Sequence, residues 1–382
     1  MRVASEEEVV DVVRDARARS APLEIVGNGT KRALGRPCEG EVLDVSGLCG
    51  IVVYEPEELI LTAKPGTTLR DVSTALAAKG QQLGFDPPAW ARLFGSNGEA
   101  TLGGAISVDA GGPQRLRYGG ARDHLLGLRA VNGTGEAFKA GGRVVKNVTG
   151  FDVPKLVCGA FGTLCVLTEV TVRVFPKPPF SKTLAIREIA PDPALTLLRR
   201  VWSSPLESSG LAYQPTSASL GTALFRVDGA RAPLEEKLAL LRTLLAGHEP
   251  IAIEDGDSKF ARIGEGEAFA GAGVDVWRVY VPPAQAWALV RAVAPSSWLA
   301  DWAGGLLWLG LPRANADAVL RLRTALASRG AQARLMRADP ETRARYGIVH
   351  PDEEGVRALM GAVKIAFDPD RLFNRGRTIE GL

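Results

Sequence analysis

The chain of 382 residues lacks the features that mark exported, membrane-spanning and nucleic-acid-binding proteins. Its opening, MRVASEEEVVDVV, has an acidic cluster where a signal peptide has basic and then apolar residues, so we expect no export signal. The most apolar stretch, LVCGAFGTLCVL (156–167), is shorter than the roughly 20 residues that a membrane helix needs. The formal net charge is only +3, and no basic run with interleaved aromatic residues occurs. These absences predict a cytoplasmic protein without a transmembrane segment and without a nucleic-acid partner.

Metal-binding patterns are missing as well. No two cysteines form a C-x-x-C pair, which favours buried thiols over disulfides or metal ligands, and no two histidines form an H-x-x-x-H pair. Neither a zinc site nor an iron–sulfur cluster held by this chain alone is therefore expected. The residues concerned are Cys38, Cys49, Cys158, Cys165, His124, His248 and His350.

The common nucleotide-binding motifs do not occur either. There is no P-loop, and no G-x-G-x-x-G follows a strand and opens a helix. Glycine is nevertheless concentrated in TLGGAISVDAGGPQRLRYGGARD (101–123), which holds three Gly-Gly pairs at intervals of eight residues. These pairs are either hairpin turns or backbone left bare so that a ring or phosphate can approach, with positive φ open to glycine. The loop GNGT (27–30) likewise exposes consecutive N–H groups that suit an anion such as pyrophosphate.

The chain divides at PKPPF (176–180), because proline-rich stretches suit linkers. We expect a first domain over 1–176, a second over 181–364 and a closing segment over 365–382. LLGLRAVNGTGEAFKAGG in the first domain predicts a hairpin around Asn-Gly-Thr-Gly. The second domain predicts strands separated by helices, which indicates a sheet with helices on one face and two similar halves. The elements expected there are strands 183–189, 209–215, 222–227, 276–281, 305–311 and 331–338, with helices 193–202, 233–246, 283–294, 314–329 and 352–367.

Four ordered segments carry a resemblance to a known family. PLEIVGNGTKRALG (22–35), ILTAKPGTTLRDVSTAL (60–76), residues 101–128 and residues 146–174 resemble the FAD-binding domain of the vanillyl-alcohol-oxidase or p-cresol-methylhydroxylase type. The ending FDPDRLFNRGR is similar to the family's F-D-P-x-x-x-x-N-P-G-R close. The resemblance implies an α+β fold, with a two-subdomain FAD-binding domain and an α+β cap domain built mainly on an antiparallel sheet. R-Y-G-x-x-R-D and K-N-V-T-G-[FY]-D are most similar to the shorter FAD-binding subunits, the E-type, of bacterial glycolate oxidases.

The resemblance also implies which residues hold the cofactor. The first loop would hold the pyrophosphate, the second segment would flank the cofactor, the glycine-rich stretch would run beside the isoalloxazine and ribityl chain, and the last segment would close the adenine side. Arginine opposite a pyrophosphate would serve as counter-ion. The implied cofactor-binding residues are Gly27, Asn28, Gly29, Thr30, Pro65, Gly66, Thr67, Thr101, Gly103, Gly104, Ser107, Ala110, Gly111, Gly112, Arg122, Gly162, Thr163 and Val166.

The sequence departs from the family pattern at several places. The first loop lacks the histidine by which some relatives attach FAD, so non-covalent binding is implied. Asn28 stands where glycine is frequent, Cys165 interrupts the usual T-L-G, and Arg375 replaces the closing proline. Residues 181–364 contain no H-x-G-D-G-N-x-H motif, so the resemblance assigns no catalytic base.

Several side chains keep two interpretations open. Arg117, Arg122 and Asp123 are either neighbours of the cofactor or members of surface ion pairs worth under about 1 kcal/mol. Tryptophan is concentrated in the second domain, as in WLADWAGGLLWLG (298–310), where a core or subunit-interface role is favoured over a stacking site.

The segment before residue 153 leaves a similar choice. Lys146, Asn147 and Asp152 are either a polar cluster near the flavin or a turn at the end of a strand.

Three functions are compatible with these residues. The favoured one is an FAD-binding subunit of a glycolate oxidase, which passes electrons from a small 2-hydroxyacid to a separate iron–sulfur subunit beside a larger FAD-binding catalytic subunit. Membrane association would come through those partners. The alternatives are a stand-alone FAD-dependent 2-hydroxyacid dehydrogenase and a structural subunit with a vestigial flavin site. The missing histidine motif counts against the stand-alone dehydrogenase, unless Arg278, Arg337 and Tyr346 replace it. The intact glycine segments count against the structural subunit with a vestigial flavin site.

Overall fold

The computed structural model describes residues 1–143, 151–347 and 354–380. Within these ranges no helix combines the length and apolar character needed to cross a membrane. The α-helices are Glu6–Ala18, Leu69–Ala77, Ala91–Phe94, Leu102–Ser107, Arg115–Tyr118, Ala121–His124, Val153–Val157, Pro191–Trp202, Arg231–Leu244, Gly256–Gly264, Ala286–Val293, Ala316–Ala327, Pro340–Tyr346 and Glu354–Phe367, with 3-10 turns at Glu267–Phe269, Pro283–Gln285 and Trp302–Gly304. The strands are Leu23–Val26, Glu41–Asp44, Ile51–Glu55, Ile60–Ala63, Gln81–Gln82, Leu125–Val131, Ala137–Gly141, Val166–Arg173, Phe175–Pro176, Phe180–Ile189, Gly210–Pro215, Gly221–Gly229, Ile251–Ile253, Val274–Tyr280, Ser297–Asp301, Leu306–Pro312 and Gln332–Arg337.

The first part of the chain contains a parallel strand pair and a five-stranded antiparallel sheet. Leu23–Val26 pairs with Glu41–Asp44, and Leu23 also bridges to Phe373, so the end of the chain lies against its beginning. In the larger sheet, Leu125–Val131 pairs with Ala137–Gly141, which confirms the predicted hairpin. The remaining strands of that sheet follow in the order Val166–Arg173, Ile60–Ala63 and Ile51–Glu55.

The second part is an eight-stranded antiparallel sheet made of two similar halves, as the sequence pattern predicted. Each half runs strand, helix, strand, strand, helix, strand, which is the ferredoxin-like order. In each half the first strand lies between the third and the fourth, and the second strand lies at the centre of the whole sheet. The halves join where Tyr213 pairs with Ala300.

Alternation along the strands gives this sheet two apolar faces. Leu184 and Leu307 belong to a core cluster with residues of four helices, whereas Ala185 and Trp308 belong to a cluster with residues of the first part of the chain. The four helices are Pro191–Trp202, Arg231–Leu244, Ala286–Val293 and Ala316–Ala327. The prediction of helices on one face therefore holds for those four helices. Helix Gly256–Gly264 is the exception, because its Phe260 packs on the opposite face.

Some elements of the second part of the chain were not predicted from the sequence. Ile251–Ile253 has only three residues, and Pro340–Tyr346, PETRARY, has almost no apolar periodicity. Helix Gly256–Gly264 and strand Ser297–Asp301 were also missed. The strand Ser297–Asp301 begins within Pro295-Ser296-Ser297, a combination that indicates a turn.

None of the three glycine pairs is a hairpin turn. Gly103 and Gly104 lie in the helix Leu102–Ser107, while Gly119 and Gly120 separate two short helices. Among the six glycines only Gly119 has a positive φ, at 87°. The expected use of positive φ is therefore wrong for the first two pairs. Close packing accounts for glycine at Gly103 and Gly112, where an added Cβ would lie 2.4 Å from Pro65 Cβ and 2.3 Å from the Asp86 carbonyl oxygen.

Candidate functional site

One cavity lies between the first glycine loop, the helix Leu102–Ser107 and the closing segment of the chain. It contains about 820 Å³ of space not filled by protein atoms, part of it open to solvent. Its wall is formed by Ile25, Val26, Gly27, Asn28, Gly29, Thr30, Lys31, Arg32, Leu34, Val45, Pro65, Thr101, Gly103, Gly104, Ser107, Val108, Phe161, Gly162, Cys165, Leu167, Asn374 and Arg377.

The loop of residues 27–30 follows directly after a strand and lies along this wall. The Asn28 side chain donates through Nδ2 to the carbonyl of Glu99 at 2.9 Å, which attaches the loop to the chain before Thr101. A Cβ on Gly27 would lie 3.1 Å from the Thr101 hydroxyl. The loop therefore presents mainly backbone to the cavity, as pyrophosphate binding requires.

Pro65, Gly66 and Thr67 divide into one residue that lines the cavity and two that shape the turn behind it. Pro65 is in the wall. A Cβ on Gly66 would come within 2.8 Å of three backbone carbonyls, so only glycine fits there. Thr67 donates its hydroxyl to the carbonyl of Lys64 at 2.7 Å. The last two residues hold Pro65 in position.

The helix Leu102–Ser107 supplies the opposite wall. Thr101 caps it, because its hydroxyl accepts a hydrogen bond from the Gly104 N–H at 3.2 Å. A Cβ on Gly103 would lie 2.4 Å from Cβ of Pro65, so this glycine allows the two segments to pack. Gly104 is different, since its Cβ would meet only the Thr101 hydroxyl, at 3.1 Å. The side of Gly104 is thus left free for a ligand.

The second glycine pair lies at the contact between the two parts of the chain rather than in the cavity wall. Arg278 donates to the carbonyl of Gly111 at 3.2 Å, and the Trp302 indole donates to that of Gly112 at 3.1 Å. Ala110 is fully buried in the same interdomain core. These three small residues bring the backbone close to the eight-stranded sheet.

The remaining predicted positions are distributed around the cavity. Gly162 lies in the wall. The Thr163 hydroxyl instead donates to the carbonyl of Ala160 at 2.7 Å, and Val166 is buried in the core around the first helix. Arg122 is exposed, and its contacts run through its backbone. These three residues therefore lie outside the wall.

The sequence did not lead us to predict cavity residues in the closing segment. The similarity of FDPDRLFNRGR to the family's ending was nevertheless a signal for them. The Asn374 side chain accepts from the Ile25 N–H at 2.9 Å and donates to the Phe161 carbonyl at 2.7 Å. Arg377 pairs with the buried carboxylate of Glu24 at 2.6 Å. The segment thus ties the first strand to the loop that contains Phe161.

The polar residues for which the sequence left two interpretations open form ion pairs or accept hydrogen bonds within the protein. Arg117 forms ion pairs with the nearly buried Asp228 and with Glu207 at 3.6 Å, both in the second part of the chain. It is therefore an interdomain residue, neither a cavity residue nor a simple surface pair. Asp123 accepts from the Gly120 N–H at 2.8 Å, and Asp152 accepts from the Lys155 N–H at 3.3 Å.

Lys146 and Asn147, by contrast, lie outside the described residues.

Neither described histidine lines the cavity. His124 is buried, with Nε2 2.7 Å from the Tyr118 carbonyl, and burial lowers its pKa. His248 is exposed after the helix Arg231–Leu244, and His350 lies outside the described residues.

Arg278, Arg337 and Tyr346, the suggested substitute, do not form one site. Arg278 is fully buried, with its guanidinium 5.0 Å from the centre of the Trp308 ring. Arg337 donates to backbone carbonyls, among them that of Ala272 at 2.7 Å, and Tyr346 packs against other arginines.

The four cysteines differ in burial. Cys158 and Cys165 are buried thiols, as expected, and burial raises the pKa of Cys165 to about 12. Cys49 is exposed, so that expectation is wrong for it, and Cys38 is partly buried. Among the described residues, no group of three or more potential metal ligands comes together.

The fold and the glycine-lined cavity define a flavoprotein of the p-cresol-methylhydroxylase type. Residues 1–141 match the family described as FAD binding domain. The chain is 34% identical over 302 residues to the glycolate oxidase subunit GlcE of Escherichia coli (strain K12), a match that covers 79% of each chain. The chain therefore belongs to the family of FAD-binding oxidoreductases that includes this subunit.

Two further likenesses define the extent of the relationship. The chain is 33% identical over 180 residues to the glycolate oxidase subunit GlcD of Bacillus subtilis (strain 168), which covers 47% of this chain and 37% of that one. A solved structure of p-cresol methylhydroxylase with substrate bound superposes with a TM-score of 0.74 at 16% identity, covering all of this chain and 88% of the other. At that identity the likeness concerns the fold.

The cavity fits FAD on its own geometry. One side carries the backbone of the 27–30 loop, which suits a diphosphate, and the other side carries Gly104, whose missing side chain leaves room for the cofactor. The GNGTKR loop contains no histidine that could attach a flavin covalently.

Proposed function

We propose that this chain is the FAD-holding subunit of a complex that oxidises a small 2-hydroxyacid, glycolate to glyoxylate, and passes the electrons to an iron–sulfur subunit. The observation that carries the proposal is the glycine-lined cavity in a chain that aligns over 79% of its length with a glycolate oxidase subunit. The bound flavin would take a hydride from the substrate carbon or accept electrons from a neighbouring flavin.

The contact between the two parts of the chain supports a holding role rather than independent catalysis. Oxidation of a hydroxyacid needs a base for the hydroxyl proton and a cation for the carboxylate. Here Trp90 and Trp308, both fully buried, belong to the core cluster that contains the cavity-wall residue Phe161, and the described histidines lie elsewhere. We infer that the base and the carboxylate site belong to the larger FAD-binding subunit.

An apolar helix offers a surface for that partner. Glu354–Phe367 has Val356 46%, Leu359 65% and Ile365 51% exposed. Its one buried residue in the described structure is Lys364, which donates to the Thr163 carbonyl at 2.6 Å. We propose that this helix contacts another subunit, and that any association with a membrane comes through such partners.

The experiment is a dye-linked glycolate oxidation assay on the reconstituted complex. Acid treatment of the isolated chain should release its flavin as free FAD, because no covalent bond is expected. A complex that contains an FAD-deficient variant of this chain should lose most of its activity. Full activity in that complex would leave only a structural role for the chain.

A further inference from the structure

A second cavity adjoins the glycine-lined cavity, because four residues line both. It contains about 730 Å³ of space not filled by protein atoms, part of it open to solvent. Its wall comes from the loop after the first strand, the end of helix Ala91–Phe94, the helix Pro340–Tyr346 and the closing segment. The four shared residues are Gly29, Thr30, Arg32 and Arg377.

The described wall of the second cavity carries an excess of positive charge. It contains three arginines, Arg32, Arg343 and Arg377, but one carboxylate, that of Glu24. Glu24 accepts from Nε of Arg32 at 3.0 Å and from Arg377 at 2.6 Å, so a single anion faces two guanidinium groups. The thiol of Cys38 is neutral at pH 7, because burial raises its pKa. Two positive charges of the wall therefore have no negative counterpart within it.

Arg343 forms no ion pair with any described residue. Its Nη1 donates to the carbonyl of Gly35 at 3.1 Å, while its Nε has no acceptor in the described structure. Asp339 is the carboxylate that acts on it electrostatically, but Asp339 accepts the N–H and the hydroxyl of Thr342, each at 2.8 Å. Burial, and after it the neighbouring Arg377, lower the pKa of the Arg343 guanidinium. An anion in the cavity would relieve both effects.

Two of the three guanidinium groups are accessible from the cavity. Arg32 lines it with 54% of its side chain exposed, and its hydrogen bonds to Glu24 run through Nε and Nη2, which leaves Nη1 without an acceptor among the described residues. Arg343 lines the cavity as well and is partly exposed. Arg377 is buried, and its Nη1 donates to the Arg32 carbonyl at 2.8 Å, so it contributes charge rather than contact.

We propose that the second cavity binds a small oxyanion, a carboxylate or a phosphate, between the guanidinium groups of Arg32 and Arg343. The planar fork of a guanidinium matches two oxygens of either group. Arg32 belongs to the first part of the chain and Arg343 to a helix of the second part, so a bound anion connects the two parts. The inference goes beyond the proposed function, because it requires neither a flavin nor a hydroxyacid to be oxidised.

The experiment is equilibrium dialysis of the protein with labelled inorganic phosphate and labelled glycolate, at an ionic strength held constant with sodium chloride. Dialysis is done with and without saturating FAD, since the two cavities share wall residues. The variants are Arg343→Met, which removes the charge, and Arg343→Lys, which keeps a charge without the fork. Arg345→Met is the matched control, because Arg345 is an exposed arginine of the same helix.

The FAD-loaded wild type should bind one equivalent of phosphate or of glycolate, and the tighter of the two identifies the class of ligand. Arg343→Met should weaken this binding by roughly 10- to 100-fold, the range expected for a hydrogen bond between charged groups. Arg343→Lys should retain part of the affinity, and Arg345→Met should retain all of it. Saturating anion should also raise the unfolding temperature of the wild type but not that of Arg343→Met. Circular dichroism verifies the fold of each variant, and Arg343→Lys supplies the comparison if Arg343→Met does not fold.

Several outcomes overturn the proposal. They are the absence of saturable binding of both anions, wild-type affinity in Arg343→Met, or an equal loss of affinity in Arg345→Met. Displacement of the anion by FAD also overturns it, because the anion would then occupy the glycine-lined cavity. Failure of the wild type to bind FAD contradicts the proposed function instead, and the dialysis without FAD still tests the anion site.

Discussion

The carboxylate of Glu265, at the end of a helix in the second part of the chain, accepts the backbone N–H of Trp90 in the first part at 2.6 Å. The same carboxylate accepts the N–H of Ala89 at 2.7 Å. Trp90 has a positive φ of 55° and a fully buried ring, so a two-pronged acceptor holds a strained residue in the interdomain core. This contact joins the two parts next to the cavity that the 27–30 loop lines.

Glu265→Gln should therefore destabilise the protein. An amide has only one acceptor atom, so one of the two N–H groups loses its partner at a cost of about 1–3 kcal/mol. The measurement is urea unfolding followed by tryptophan fluorescence. Glu267→Gln is the control, because Glu267 pairs with the exposed Arg92 at 2.9 Å and should change stability by less than about 1 kcal/mol. Equal effects of the two variants would contradict the role of Glu265.

Asp301 should make stability depend on pH. Burial raises the pKa of this carboxyl to about 7, while its ordinary value is 3.8. The folded protein therefore binds more protons than the unfolded chain between these values, and this contribution to stability falls as pH rises toward 7.

Asp301→Asn removes the titrating group. The stability of the wild type relative to this variant should fall by up to about 1.4 kcal/mol per pH unit between pH 5 and 7, and then level off above pH 7. Thermal unfolding of both proteins at pH 5, 6, 7 and 8 measures the difference. A difference that does not vary with pH would show that Asp301 is not the titrating group.

Gly104→Val should weaken FAD binding while the protein stays folded. The added Cβ meets only the Thr101 hydroxyl, at 3.1 Å, so the branched side chain enters the cavity instead of the protein core. Overpacking of about 1–3 kcal/mol corresponds to a roughly 10- to 100-fold loss of FAD affinity. The measurement is quenching of FAD fluorescence on binding.

Gly80→Ala provides the control for backbone effects. Gly80 has a φ of 64° and an open Cβ direction away from the cavity, so alanine should cost roughly 1 kcal/mol of stability and leave FAD binding unchanged. If Gly104→Val binds FAD like the wild type, the cavity is not the cofactor site.

Leu359→Asp should weaken assembly with the partner subunits without affecting FAD binding. Leu359 is 65% exposed on the helix Glu354–Phe367, and a carboxylate there would have to be desolvated in an apolar contact. Leu320→Asp is the control, since Leu320 is 63% exposed on a different helix. Co-purification of tagged partner subunits measures assembly. Equal recovery with both variants would exclude this helix from the interface.

The sequence predicts most of this fold because its local patterns agree with the final packing. The repeated strand and helix periods beyond residue 180 are visible without the structure, since alternation reflects the two apolar faces of the sheet. Gly66 and Gly103 were named through the family resemblance as cofactor neighbours, and the structure adds that a side chain at either position would collide with neighbouring backbone or with Pro65. These two glycines therefore mark positions where segments of the chain pack closely.

Long-range pairing is what the sequence does not contain. Nothing in its local pattern indicates that Arg117 pairs with Asp228, or that Glu265 binds the backbone at Trp90. A lysine in a turn is usually solvated, and only the tertiary structure buries the amine of Lys31. The strand order of the eight-stranded sheet is likewise set by packing between distant segments.

We propose that this chain holds FAD but does not oxidise a hydroxyacid by itself. The most direct measurement is anaerobic mixing of the purified, FAD-loaded chain with glycolate while the flavin absorbance is followed, without and with the partner subunits. We expect the flavin to stay oxidised when the chain is alone and to become reduced when the partners are present. Rapid bleaching of the flavin in the isolated chain would contradict it and would identify the chain as a self-sufficient dehydrogenase.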